Sequence, residues 1–140
     1  MVKSKIVKEW FNKGEKDITN AEFLFKGNRD LETVAFHIQQ SAEKYLKGFL
    51  ISRGKELERI HDLVKLLQDV IKIDTEFNQF KGIVKKITNF YFESRYPLGK
   101  WGQLYFLFLI NWGIHLTHVA TRCNIWRCGH QRFSKNLDGI

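Results

Sequence analysis

Acidic residues are missing from the last third of this chain. From Ser94 to Leu137 there is no aspartate or glutamate, whereas residues 1–93 hold 14. The formal net charge of +8 therefore has an uneven origin. Residues 1–93 carry 17 lysines and arginines against those 14 acids, a net of +3, while residues 94–140 carry six against one, a net of +5. Net charge of this size invites a nucleic-acid reading. A basicity that comes largely from absent acids in one segment weakens it.

Other scarcities exclude whole classes. Cys123 and Cys128 are the only cysteines, too few for a disulfide framework and in keeping with a reducing compartment. The most apolar run, Leu104–Ile110, is seven residues, and extending it to Leu116 still leaves it far short of the roughly 20 needed to cross a bilayer. Met1–Trp10 is charged rather than apolar, so no secretory signal is read there. The expectation is a cytoplasmic protein with no membrane association. There is no phosphate-binding Gly-x-x-x-x-Gly-Lys-Ser/Thr loop, no dinucleotide fingerprint, no His-Glu-x-x-His and no serine in a nucleophile elbow. Carboxylates are plentiful but fall on helical faces expected to be exposed or in connections, so paired acid–base work is unsupported. His115, His118, Cys123, Cys128 and His130 include enough donors for zinc, yet their spacing matches no standard zinc motif. No metal and no cofactor is expected.

What the chain does have is helical periodicity. At 140 residues and 44% hydrophobic content it suits one core. Val7, Trp10, Phe11, Gly14, Ile18, Ala21, Leu24 and Phe25 follow the spacing of a first helix over about residues 5–26, stopped by Gly27-Asn28. Asp30 is placed to cap a second, longest helix over about 31–53, with Gly54 as its stop. Leu31, Val34, Ala35, Ile38, Ala42, Tyr45, Leu46 and Phe49 form its core stripe at 100° per residue. The opposite face carries Phe36, His37, Gln40, Glu43, Lys44 and Lys47. It reads either as solvated surface or as a contact face for a second subunit or an anionic ligand, since Phe36 would otherwise be an exposed aromatic. Asp62 caps a short third helix carrying Leu63, Leu66, Leu67, Val70 and Ile71, with His61 beside the cap. Asp74 or Thr75 caps a fourth, with Phe77, Phe80, Ile83, Val84, Ile87, Phe90 and Tyr91 inward, ended by Pro97, the only proline. The fold class is all-α, an antiparallel up-and-down bundle of four to five helices. Two segments are read: a bundle over 1–97, and an aromatic, acid-free segment over 98–140. For the second, a fifth helix over about 104–120 and a shifted reading frame both stay open.

The stretch 35–50, with Gln39-Gln40, Glu43-Lys44 and Lys47, is followed by His61-Asp62-Leu63 and then by Tyr91 with Arg95-Tyr96-Pro97. In order and spacing, over about residues 5–97, this resembles the HEPN domain. The resemblance implies an up-and-down bundle of four or five helices that often forms homodimers. Many such proteins are encoded beside, or fused to, a minimal nucleotidyltransferase, for which they are proposed to bind nucleotide or substrate. Other members are metal-independent ribonucleases built on an Arg-x4-6-His motif shared across a dimer, and that motif is absent. Arg29 to His37, Arg53 to His61 and Arg122 to His130 each have seven intervening residues, Arg59 to His61 has one and Arg127 to His130 has two.

The resulting expectation is a non-catalytic module that dimerises, partners a nucleotidyltransferase-type protein and binds nucleotide. Lys44, Lys47 and Arg95 would meet phosphate, with His37, Gln40, His61 and Tyr96 around the base or sugar. RNA is a less favoured partner. The alternatives are an RNA-cleaving toxin of a toxin–antitoxin pair with a rearranged His/Arg site, and a purely structural dimerisation protein.

Overall fold

The computed structural model describes residues 2–27, 30–56 and 59–95. Within them lie four α-helices and one short 3-10 helix: α1 (Val2–Lys26), α2 (Leu31–Ser52), α3 (Leu63–Ile71), the 3-10 turn Thr75–Phe80 and α4 (Lys81–Glu93). The described residues form an all-α bundle, as the periodicity predicts.

The helix starts follow from side-chain chemistry. Asp30 caps α2, its carboxylate accepting from the amides of Glu32 and Thr33, and Asp62 does the same for Val64 and Lys65 at α3. Each aspartate thereby satisfies amides that the first turn leaves without a helical partner. The chain leaves α2 through Gly54 at φ 79°, a left-handed conformation that costs a residue without a β-carbon little.

Helix α2 is the spine. It packs against α1, α3 and α4, whereas α1 packs against α2 alone among the described elements. Helices α1 and α2 run antiparallel: Phe11 lies against Gly48, Gly14 against Tyr45, and Asp17 against His37 and Lys44. Their axes come close because two positions have no side chain. A β-carbon on Gly14 would fall 2.7 Å from the Tyr45 ring, and one on Gly48 would fall 3.1 Å from the Phe11 ring. The Ser41 hydroxyl donates to the Gly14 carbonyl at 2.8 Å across this contact, fully buried. On the other side of α2, Phe49 meets Phe77 with ring centroids 4.8 Å apart, and α4 returns until Arg95 stands near Glu32 at the start of α2.

Three expectations need correction. The second helix is not the longest: α1 holds 25 residues against 22 in α2, because it starts at Val2, ahead of its apolar stripe. The fourth helix does not begin as an α-helix. The Asn78 side chain donates to the Thr75 carbonyl at 2.8 Å, and such local bonds compete with α-helical ones. The resulting 3-10 turn brings Phe77 and Phe80, three apart, into edge-to-face contact. Leu31 is not core: it is 37% exposed, because it stands at the open end of α2 just after the cap. The remaining stripe residues, Val34, Ala35, Ile38, Ala42, Tyr45, Leu46 and Phe49, are all buried. Pro97 and the segment 98–140 lie outside the described residues.

Candidate functional site

The polar face of α2 is organised by two carboxylates, each buried and each holding two basic side chains. Asp17 reaches across from α1. Its Oδ1 accepts from Nδ1 of His37 at 2.9 Å, and its Oδ2 accepts from the ammonium of Lys44. With Nδ1 turned to a carboxylate, the imidazole presents Nε2 away from α1. Glu43 does the corresponding work one turn further on. Its Oε1 accepts from Lys47 at 2.7 Å and lies 3.0 Å from Nδ1 of His61.

The two clusters differ in access. His37 and Lys44 keep 20% and 22% of their side-chain surface. Lys47 and Glu43 keep 5% and 6%, and the Lys47 ammonium also faces the Trp10 ring at 5.9 Å. After α2 the chain brings Ile60 against the core and His61 onto Glu43, with 78% of the His61 side chain in solvent. The second carboxylate oxygen of Glu43 and the amide oxygen of Gln39, one turn earlier on α2, are buried without a hydrogen-bond partner among the described residues.

The residues expected to form one site are therefore distributed. His37 and Lys44 are brought together by Asp17, with Gln40 half-buried on the same side of α2. Lys47 and His61 belong to the Glu43 cluster, where the Lys47 ammonium is already held by a carboxylate. Arg95 stacks at 4.2 Å on the Tyr91 ring, donates to the Tyr91 hydroxyl and lies 3.9 Å from Glu32. It is thus anchored at residue 32 of α2 and His61 at residue 43, about 16 Å apart along a helix rising 1.5 Å per residue. A rearranged His61/Arg95 pair does not assemble within one copy. Tyr96 and the five zinc-type residues lie outside the described residues, among which no group of histidines, cysteines and acids could hold a metal ion.

Asp17 and Glu43 are the residues that sequence reasoning placed wrongly, on exposed faces. A signal existed for both. Asp17 stands between Gly14 and Ala21 at i+3 and i+7 on the inward stripe of α1, and Glu43 precedes Lys47 by one turn. Phe36, the residue before His37 on α2, is 42% exposed and meets the His37 ring edge-on at 5.5 Å.

Among the described residues no helix is long and apolar enough to cross a membrane. The family model for the HEPN domain matches residues 7–103. No curated protein and no solved structure matches the chain.

Proposed function

Because the chain belongs to the HEPN domain family, we propose that it works as a non-catalytic module that forms a homodimer, partners a nucleotidyltransferase-type protein and holds a nucleotide at the α2 face. The observation that carries this reading is the setting of Phe36. It is a large, 42% exposed aromatic on the central helix, next to His37 and on the same side as Lys44, both of which are held by Asp17. Aromatic anchors on rigid, charge-compensated surfaces are the usual centres of protein interfaces. His37, Gln40 and Lys44 beside it are the groups available to a small ligand. Lys47 contributes by holding Glu43 in place, since burial and its carboxylate leave its ammonium little to offer a phosphate.

Sedimentation equilibrium of the full chain tests the interface: Phe36→Asp should turn a dimer into a monomer at unchanged helicity. Calorimetry with nucleoside triphosphates, with and without the nucleotidyltransferase-type partner, tests the ligand. His37→Ala should weaken the heat signal, and a flat titration of the complex would remove nucleotide binding from the proposal.

A further inference from the structure

Cations facing inward in this protein are matched by carboxylates: Lys44 by Asp17 and Lys47 by Glu43. The outer face of α4 is built differently. Its exposed residues from Lys81 to Phe92 are Lys81, Gly82, Lys85, Lys86, Asn89 and Phe92, with no acid among them. Lys81 and Lys85 form no ion pair among the described residues. At 100° per residue, Lys81, Lys85 and Phe92 fall within about 40° of one another, a straight ridge, and Phe92 is 56% exposed at its end. The ridge spans about 16 Å at 1.5 Å per residue.

The charge of the whole chain begins at this helix. Residues 1–80 hold 14 lysines and arginines against 13 acids, a net of +1, and residues 81–140 hold nine against two, a net of +7. A division of the chain at residue 93 conceals this, because it assigns the three α4 lysines to the balanced part.

We propose that the outer face of α4 binds single-stranded nucleic acid, Lys81 and Lys85 following the phosphates, Asn89 meeting a base edge and Phe92 stacking on a base. Lys81 and Lys85 stand one turn apart, about 6 Å between their β-carbons, close to the step between successive phosphates of an extended strand. An exposed aromatic next to a cationic track is the combination that single strands use, since a base already stacked in a duplex has no free face to give it. A lipid surface fits poorly, because Phe92 is the one large apolar side chain on the ridge and an interfacial helix needs an apolar face. A second copy fits no better, since a two-fold contact would set lysine against lysine. This surface is separate from the α2 face and does not depend on the reading given for it.

The test is fluorescence anisotropy of the full chain with labelled oligouridylate and oligothymidylate of about ten nucleotides, within the usual range of single-strand site sizes, titrated at several salt concentrations. Both or either should bind. The double variant Lys81→Glu/Lys85→Glu should weaken binding at least tenfold and lower the salt slope by about 1.4, two phosphates at 0.7 each. Phe92→Ala should weaken it about tenfold at unchanged slope, the value of one stacked base. Lys5→Glu/Lys8→Glu on exposed α1 should leave it unchanged, and circular dichroism monitors folding throughout. The proposal is overturned if neither oligonucleotide binds, if Phe92→Ala is silent, or if poly-glutamate displaces the probe as well as unlabelled oligonucleotide does, which would assign the ridge to an acidic protein.

Discussion

Glu43 and Lys47, one turn apart on α2 and both almost wholly buried, form an ion pair 2.7 Å long, with the Trp10 ring facing the lysine and His61 lying on the carboxylate. Taking two charges out of water costs several kcal/mol per ion, which their attraction repays only when both are present. The pair is therefore a feature that either survives whole or is better absent.

Lys47→Met should destabilise the protein by about 3–5 kcal/mol, because it strands the Glu43 carboxylate in the interior. The double variant Glu43→Leu/Lys47→Met should recover most of that loss. His61→Ala should cost less than about 1 kcal/mol, as its imidazole is mostly in solvent. Urea denaturation of the four proteins checks the set, and equal losses in the single and double variants would show that the pair is not what matters.

Two glycines on helices should respond oppositely to alanine. At Gly14 the new methyl would meet the Tyr45 ring at 2.7 Å, whereas at Gly82 it meets nothing within 4 Å. Gly14→Ala should lose about 1–3 kcal/mol through overpacking, and Gly82→Ala should gain about 0.5–1 kcal/mol through helix propensity. Thermal melts with a constant scan rate distinguish the two signs.

Asp30→Ala removes the side-chain cap of α2 and should cost about 1 kcal/mol near neutral pH. The effect has a pH window. The Thr33 hydroxyl, then the Thr33 amide, hold the Asp30 carboxyl below its ordinary value, so its stabilising contribution is complete above the unfolded value of about 3.9 and disappears as pH falls through the folded one. The stability difference between wild type and Asp30→Ala should accordingly shrink on acidification from pH 5 to 3, and a difference that grew would contradict the assignment.

Tyr45 sets the alkaline limit. Burial, and secondarily the charge of Glu15, push its hydroxyl well above its ordinary value. A proton held more tightly in the folded state gives stability that is present below about pH 10, the unfolded value, and lost as pH rises beyond it. Tyr45→Phe should raise the midpoint of alkaline unfolding, followed by circular dichroism between pH 9 and 12.

Much of the architecture was legible in the amino-acid order, for identifiable reasons. Asp30, Asp62 and Asp74 mark helix starts because a short carboxylate is the right length to reach amides two or three residues on. Gly54 marks an end because its φ of 79° is cheap only without a β-carbon. The α2 stripe from Val34 to Phe49 was legible because seven apolar residues at helical spacing have one way to leave water together. Leu31 failed the same rule because periodicity carries no information about where a helix protrudes beyond its neighbours. The turn at Thr75–Phe80 failed because Asn78 could equally have faced solvent.

The candidate site was legible only as a list of residue types. Periodicity assigns Glu43 and Lys47 to the outward face of α2, and on an isolated helix that would be correct. What surrounds them comes from elsewhere in the chain, Trp10 of α1 facing Lys47 and His61 lying on Glu43, and both are long-range contacts. The same holds for His37 and Lys44, whose common partner Asp17 is 20 and 27 residues away. The sequence by itself determined the helices, their caps and the segregation of charge towards α4, because these depend on neighbours within a turn or on simple counting. Tertiary structure alone decided which cations are neutralised and which stay free, because pairing and desolvation depend on which helix lies alongside, and that is set by the close approach at Gly14 and Gly48 rather than by any local pattern.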